Sequence, residues 1–162
     1  MRNPMIFAKG ATIFLLLFLF GVGMQVRAQN QTPANIAPVV GAWTDPATGL
    51  TWTKADNGSD VNWNQANAYC SNLRLGGFSD WRLPTIDELQ GIYDPSIDVP
   101  GVHLDGTPVM RHYKGNLRIS GRQWSSSQEN ANESWQFDYF HEKRYSFRVS
   151  DSRLDRALCV RR

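Results

Sequence analysis

The sequence has little of what catalysis by sulfur or by a bound metal requires. Its 162 residues include two cysteines and three histidines, and no C-x-x-C pair occurs. The histidines, His103, His112 and His141, lack the i, i+4 spacing of a helical metal site, which favours solvated histidines over zinc ligands. A G-x-S-x-G elbow and a Walker loop are also missing. We therefore predict no catalytic residue, no metal and no cofactor.

Long hydrophobic runs are rare as well, and the main one lies at the start of the chain. Ala11–Met24 is an unbroken apolar segment of 14 residues, shorter than the roughly 20 residues that a membrane-spanning helix needs. Arg2 and Lys9 precede it, and Val26 and Ala28 stand at the −3 and −1 positions of a cleavage site, as in a secretory signal peptide. A retained membrane anchor is the alternative. We predict a signal peptide (1–28), a linker (29–40) and one domain (41–162), exported to the periplasm or the cell exterior, with no membrane span after cleavage.

The charge of the mature chain is unevenly distributed. Residues 29–109 contain three Lys or Arg and nine Asp or Glu, a net of −6, whereas residues 110–162 contain eleven and six, a net of +5. Such asymmetry indicates a polar partner surface. The alternative, which we favour, is that the two halves interleave in the fold and cancel. Nucleic acid is disfavoured as a partner because the exported chain is nearly neutral.

The two cysteines are Cys70 and Cys159. An even number of cysteines in an exported protein indicates a disulfide, and two free thiols are the alternative. A bridge between these positions would close nearly the whole domain. It would stabilise the domain by about 4–5 kcal/mol in the chain-entropy model.

Two short helices are predicted in the first half of the domain. Asn62 fits the N-cap of the first helix, and Gly76-Gly77 fits its C-terminal stop. Thr85 and Glu88 form the T-x-x-E capping box of the second helix. The apolar faces comprise Ala66, Tyr69, Cys70 and Leu73 in the first helix and Ile86, Leu89, Ile92 and Tyr93 in the second.

Strands are predicted on both sides of these helices. The segment "GAWTDPATGLTWTK" (41–54) has a hairpin pattern, and the region 94–120, rich in proline and glycine, is predicted to be a long irregular loop of the kind that often binds ligands. Beyond it, "SWQFDYF" alternates apolar residues with Gln136 and Asp138, "RYSFRVS" continues the alternation, and "ALCVRR" closes the chain. The order predicts an α+β fold with two short helices packed on antiparallel strands.

Several of these segments together carry a resemblance to a known family. The sequence from "GLTWTK" to "DWRLPTIDELQGIYDP", with "WSSS", "SWQFDYF" and "ALCVRR", resembles the Lcl C-terminal domain family across residues 41–162. The resemblance implies a C-type-lectin-like fold, in which a disulfide commonly ties the first helix to the last strand. It also implies glycan binding, since the founding domain is an adhesin tip that binds sulfated glycosaminoglycans. That domain sits on a trimeric collagen stalk, and this chain has no G-X-Y repeat.

The candidate recognition surface is basic and lies near the end of the chain. Arg144 and Arg148 fall on one face of a predicted strand, opposite Tyr145 and Phe147. A planar guanidinium can hold a sulfate or carboxylate in a forked pair. The alternative, which we favour, is a solvated face whose arginines pair with Asp138, Glu142, Asp151 and Asp155. The predicted ligand-binding residues are Lys143, Arg144, Arg148, Arg153 and Arg156.

Other site chemistry has weaker support in the sequence. Calcium-dependent lectins of the implied fold carry an E-P-N-like loop, and "QENANESW" supplies Glu129, Asn130, Asn132 and Glu133 without the proline. The "RLPT" motif also occurs in formylglycine-generating enzymes, which work through cysteine thiols. A disulfide between the two cysteines of this chain would leave no free thiol for such a reaction.

Three functions follow from these patterns. The first is an exported binding or adhesion module for a surface glycan, such as a glycosaminoglycan-like polyanion, or for a protein partner. The second is an extracytoplasmic carbohydrate-active enzyme, whose mark would be two close carboxylates in a cleft, one with a raised pKa. The third is a structural envelope component.

Overall fold

The computed structural model describes residues 41–102 and 107–162, and the predicted signal peptide and linker lie outside these residues. Two helices and mainly antiparallel strands confirm the predicted α+β class. In chain order, the elements are β1 (Ala42–Thr44), β2 (Thr51–Thr53), α1 (Trp63–Asn72), α2 (Ile86–Gly91), β3 (Val99–Val102), β4 (Pro108–Arg111), β5 (Arg122–Asn130), β6 (Glu133–Asp138), β7 (Lys143–Arg148), β8 (Asp155–Arg156) and β9 (Val160–Arg161).

The strands form three sheets in the described part of the chain. The first has the order β1-β2-β9, the second pairs β3 with β4, and the third has the order β7-β6-β5-β8. The N-terminal hairpin confirms the prediction, with Trp43 opposite Trp52. Because β9 pairs with β2, the end of the chain lies beside the beginning of the domain. All strand pairs are antiparallel except β5 with β8.

Helix α1 begins at the predicted residue and ends earlier than predicted. The side chain of Asn62 accepts a hydrogen bond from the amide of Gln65, whose own side chain accepts one from the amide of Asn62. The buried residues are Ala66 and Cys70, whereas Tyr69, predicted on the apolar face, is 39% exposed. At 3.6 residues per turn, Tyr69 lies about 60° from Ala66, at the edge of the buried stripe.

Helix α2 confirms the predicted capping box. Thr85 Oγ1 accepts from the amide of Glu88 at 3.2 Å, and Glu88 Oε2 accepts from the amide of Thr85 at 2.8 Å. Glu88 also accepts two hydrogen bonds from the guanidinium of Arg82, at 2.7 and 2.8 Å. The apolar side chains of Ile86 and Leu89 are buried. One carboxylate therefore both starts the helix and fixes the chain segment that precedes it.

The region 94–120, predicted as irregular, contains the hairpin formed by β3 and β4. Pro100 pairs with Met110 and Val102 with Pro108. Proline has no amide hydrogen to donate to a sheet and is tolerated on edge strands. Both strands of a two-stranded sheet are edge strands. Pro100 and Pro108, on which the prediction of an irregular segment partly rested, are therefore compatible with this hairpin.

The core consists of two groups of buried side chains. The first includes Trp52, Leu89, Phe137 and Tyr139. The second surrounds the disulfide and is a separate group, with Trp81, Trp124, Ala66 and Ala157 among its members.

Strand β6 departs from the predicted alternation. The pattern set polar Gln136 on the face opposite the apolar residues, but Gln136 is fully buried, as is its neighbour Phe137. Adjacent residues of a strand point to opposite faces. Both faces of this central strand are therefore covered.

The disulfide between Cys70 and Cys159 is present, as predicted. Their Cα atoms are 5.4 Å apart and 89 residues separate them in the chain. Cys70 lies in α1, and Cys159 directly precedes β9, so the bridge joins the first helix to the last segment. Within the described ranges, no helix is long and apolar enough to cross a bilayer.

Candidate functional site

The structure separates the five predicted ligand-binding residues into two groups. Arg144 donates to Asp87 Oδ1 at 2.7 Å and to Gln90 Oε1 at 2.5 Å, which ties β7 to α2. Arg156 forms an ion pair with Asp60 and donates to Ser120 Oγ at 3.2 Å. Hydrogen bonding to Arg156 is the main reason that the pKa of Asp60 is lowered. The charges of these two arginines are therefore balanced within the domain.

The remaining predicted residues form no ion pair in the described part of the chain, although Glu133 lies opposite Arg148 and Asp138 opposite Lys143 in the β6–β7 register. Among the residues that the structure describes, no carboxylate lies within 4.0 Å of a charged nitrogen of Lys143, Arg148 or Arg153. The predicted acidic partners of the C-terminal arginines were wrong. The arginines that do pair use acids from the first half of the domain, which are Asp60, Asp80 and Asp87.

Arg148 and Arg153 delimit a tight connection between β7 and β8, which we call the basic turn (148–153). The amide of Asp151 donates to the carbonyl of Arg148 at 2.9 Å, and this hydrogen bond closes the turn. The amide of Val149 donates to the carbonyl of Asn132 at 2.9 Å, which anchors the turn to the β5–β6 connection. These contacts fix the first part of the turn, and Arg122 Nη2, which donates to the carbonyl of Arg153 at 2.6 Å, fixes its end.

Two clefts border the basic turn, and Ser150 lines both of them. The first, the turn cleft, has a volume of about 420 Å³ and is lined by Arg122, Phe147, Ser150, Asp151, Ser152, Arg153 and Asp155. The second, the amide cleft, has a volume of about 570 Å³ and is lined by Asn130, Asn132, Glu133, Arg148, Val149 and Ser150. Both volumes fall within the range of about 300–1,000 Å³ typical of small-ligand sites.

The amide cleft contains three of the four residues considered for calcium. Asn130 Nδ2 donates to Glu133 Oε2 at 2.8 Å, and Asn130 Oδ1 accepts from the amide of Asn132 at 2.9 Å. Across the described ranges, no group of three or more His, Cys, Asp and Glu side chains is arranged to hold a metal ion. The polar side chains of this cleft are two amides, the Ser150 hydroxyl, the Glu133 carboxylate and the Arg148 guanidinium. The amides and the hydroxyl suit the hydroxyl groups of a ligand, and the guanidinium suits an anionic group.

The turn cleft is built over a buried carboxylate. Asp155 has no exposed surface, and its Oδ1 accepts from Arg122 Nε at 2.8 Å. Burial raises the pKa of Asp155, the Arg122 charge and the nearby Gln136 amide offset part of this rise, and the charge of Asp151 adds to it. Oδ2 and the Gln136 amide atoms are buried without a hydrogen bond of normal geometry. Arg122 also stacks on Phe147, with Cζ 4.3 Å from the ring centre.

This arrangement partly matches the mark expected of a carbohydrate hydrolase. Asp151 and Asp155 line one cleft, and the pKa of Asp155 is raised. A general acid must, however, come within hydrogen-bond reach of the group that it protonates. Because Asp155 is fully buried and paired with Arg122, its carboxylate serves to hold Arg122 in place under the cleft.

The described histidines are solvent-accessible and lie apart from these clefts. His141 Nδ1 is 2.8 Å from Asp138 Oδ2. His112 lies between two acids, with Nδ1 3.4 Å from Asp98 and Nε2 3.6 Å from Glu142. His103 falls outside the described residues.

A comparison with known protein families finds a match over the domain described above. Residues 41–161 match the model of the Lcl C-terminal domain. The chain belongs to the Lcl C-terminal domain family. The match covers nearly every residue discussed above, including both cysteines and the basic turn. No curated protein matches the chain.

In this Lcl C-terminal domain, the sequence analysis named Arg148 and Arg153 as candidate residues but did not predict the turn between them or the residues beneath it. Nothing in the sequence indicated that the side chain of Arg122 would reach Asp155, 33 residues further along the chain. The alternation of Gln136 with apolar residues gave no sign that its own face of the strand would also be buried. A polar residue in a central strand could have been recognised only with knowledge of which strand lies in the middle of the sheet.

Proposed function

We propose that this Lcl C-terminal domain is an exported binding module that holds an acidic or sulfated glycan at the basic turn. The proposal places the anionic groups of the glycan on Arg148 and Arg153. Its hydroxyl groups would contact the amides and hydroxyls of the two clefts, which include Asn130, Asn132 and Ser150.

The difference between paired and unpaired arginines carries this proposal. Arg144 and Arg148 lie four residues apart in β7, on the same face of the strand. Arg144 is occupied by Asp87, whereas no described carboxylate pairs with Arg148. A guanidinium without a partner at the rim of a cleft gains a charge-assisted pair when an anion binds, without first breaking an internal one. Arg148 and Arg153 therefore suit a sulfate or a carboxylate better than Arg144 and Arg156.

The implied C-type-lectin-like fold and the export of the chain belong to the same proposal. The fold is supported by the disulfide between the first helix and the residue before the last strand. Export is supported by the disulfide, because such bonds persist in oxidising compartments. The apolar N-terminal segment of the sequence agrees with this compartment.

Binding is favoured over catalysis on one observation. Asp155, which has the raised pKa in the turn cleft, is buried and occupied by Arg122. The alternative of a protein partner for the basic turn is distinguished by the experiment below.

Chromatography of the processed domain on immobilised heparin, eluted with increasing salt, tests the proposal. We expect retention at low salt, earlier elution of Arg148→Gln, and loss of retention in Arg148→Gln with Arg153→Gln. Arg144→Gln is the matched control, because it removes the same charge from the same strand face at a position already paired with Asp87. Flow-through of the unmodified domain would refute glycan binding and leave a protein partner. If Arg144→Gln and Arg148→Gln reduced retention equally, retention would depend on net charge and not on the unpaired Arg148.

A further inference from the structure

A separate cavity of about 130 Å³ lies between the β3–β4 hairpin, the start of β5 and the β6–β7 turn. We call it the hairpin cavity. It shares Arg122 with the turn cleft and no residue with the amide cleft. Its apolar walls are formed by Val102, Ile119, Tyr139, Phe140 and Leu154, and its polar groups include Arg111, Asp138 and His141.

The volume of the hairpin cavity sets the size of what it can hold. An apolar cavity of about 150 Å³ engineered in another protein accommodates benzene. The hairpin cavity is close to that size and has room for one six-membered ring. Its apolar walls favour a ring without hydroxyl groups, because each buried hydroxyl would need a hydrogen-bond partner.

Arg111 brings a positive charge to the hairpin cavity, whose wall also contains the Asp138 carboxylate. Its Nη1 donates to the carbonyl of Ile119, and its Nη2 donates to the carbonyl of Val102 at 3.3 Å. A guanidinium has five N–H donors, so three remain after these two bonds. Within residues 41–102 and 107–162, no carboxylate forms an ion pair with Arg111. A carboxylate could therefore pair with the cation without displacing an acid of the described residues.

A glycine permits this position of Arg111. A Cβ atom added at Gly101 would lie 3.3 Å from both Cζ and Nη1 of Arg111. Such contacts are tighter than usual, so with a side chain there the guanidinium would have to shift by a few tenths of an ångström. Gly101 thus allows the charged group to lie against the backbone of β3, beside the cavity.

A second oriented group stands on the cavity wall. Asp138 Oδ1 accepts from the amides of Phe140 and His141, at 2.8 and 3.2 Å, and Oδ2 lies 2.8 Å from His141 Nδ1. The carboxylate thus fixes the orientation of the imidazole, as carboxylate partners of histidine commonly do. His141 Nε2 is the ring nitrogen left to contact a ligand.

We propose that the hairpin cavity binds a small aromatic carboxylate, with its ring between the apolar walls and its carboxylate on Arg111. This site is distinct from the basic turn and does not depend on the proposed glycan binding. The volume of the cavity limits the ligand to one ring, and the apolar walls favour a ring without hydroxyl groups. The Arg111 guanidinium, which pairs with no acid of the described residues, favours an anion.

Isothermal titration calorimetry of the processed domain with benzoate, benzyl alcohol and glucuronate tests the three requirements without any mutation. We expect saturable binding of benzoate and at least tenfold weaker binding of benzyl alcohol, which has the ring but no charge. Glucuronate, which has the charge on a hydroxylated ring, should also bind at least tenfold more weakly. Absence of benzoate binding would overturn the proposal, as would equal binding of benzyl alcohol. Tighter binding of glucuronate would assign the cavity to an acidic sugar instead.

Two variants locate the site. Gly101→Ala keeps every charge and displaces the Arg111 guanidinium, and we expect it to weaken benzoate binding severalfold; Arg111→Met should abolish binding. Arg148→Gln is the control and should bind benzoate normally. In amide NMR spectra, benzoate should shift Phe140 and His141 but not residues 149–152. Unchanged affinity in Gly101→Ala, or shifts confined to the basic turn, would place the ligand elsewhere and refute the assignment even if Arg111→Met failed to fold.

Discussion

The guanidinium of Arg161 lies over the ring of Phe78, with Cζ 3.6 Å from the ring centre, while its Nε donates to Asp80 at 2.7 Å. One side chain from the last strand is thus held by an aromatic ring and a carboxylate from the segment between the two helices. The same interleaving occurs where Arg144 pairs with Asp87 and Arg156 with Asp60. The acidic first half of the domain and its basic second half therefore neutralise each other at specific points.

Replacing Arg161 by lysine tests the combined contact. A compact ammonium group cannot both stack on Phe78 and reach Asp80 with a planar fork, so we expect Arg161→Lys to lower the free energy of unfolding by about 1 kcal/mol. Urea denaturation monitored by circular dichroism measures the change. Arg162→Lys, at an exposed position next to it, is the control and should have no measurable effect. Equal stabilities of the two variants would show that the stacked geometry contributes nothing.

Two glycines with the same backbone conformation separate strain from steric overlap. Gly49 has φ of 71° and Gly115 has φ of 72°, both in the left-handed region. A Cβ at Gly49 would meet no atom within 4 Å, whereas one at Gly115 would lie 2.5 Å from Cδ2 of Trp43. We expect Gly49→Ala to cost about 1 kcal/mol from backbone strain. Gly115→Ala should cost at least about 2 kcal/mol more, because the indole must move.

Thermal and urea unfolding of both variants give the comparison. Similar losses would mean that Trp43 shifts at no cost. A larger loss in Gly49→Ala than in Gly115→Ala would contradict the role assigned to the close approach of Gly115.

The pH dependence of stability should change in opposite directions in two variants. Burial tends to raise the pKa of Glu88, but hydrogen bonds from Arg82 and from the Thr85 amide outweigh it and lower the pKa below its ordinary 4.5. The stabilisation from ionised Glu88 is therefore present above that pH and is lost as the pH falls through the lowered pKa. In Glu88→Gln, which keeps the helix cap because glutamine also serves at that position, stability should fall less on acidification.

The contribution of Asp155 to stability depends on pH in the opposite direction, because burial raises the pKa of Asp155 above the ordinary 3.8. Its contribution is fully present below that pH, where the carboxyl is protonated in both states, and is lost as the pH rises through the raised pKa. Asp155→Asn should therefore lose stability more steeply than the unmodified domain as the medium is acidified. Urea unfolding at several pH values from 3 to 7 compares the slopes. Parallel curves for all three proteins would contradict both assignments.

Local features of this fold could be predicted from the sequence, because their partners are near in the chain. The caps at Asn62 and Thr85 and the N-terminal hairpin depend on residues within a few positions of each other. The disulfide could be predicted for a different reason: the sequence has two cysteines, so Cys70 and Cys159 can pair in one way only.

What depends on the tertiary arrangement was not predictable in the same way. The partner of Arg144 lies 57 residues away in α2, and that of Arg156 lies 96 residues away. Periodicity indicates which residues share a face but not what lies opposite that face. For the same reason, the burial of Gln136 and the reach of Arg122 to Asp155 were missed. The hairpin of β3 and β4 was missed because proline is common both in loops and in edge strands. The presence of Pro100 and Pro108 in the sequence therefore does not distinguish the two.

The covalent link between Cys70 and Cys159 also determines what happens to this domain after proteolysis. A single cut in the backbone between these residues, for example in the β3–β4 hairpin, divides the chain into two fragments that each keep one of the two sulfur atoms. Since the basic turn lies between the hairpin and Cys159, its fragment stays tethered to the one that contains α1. The nicked domain can thus retain its arginine surface in surroundings rich in proteases.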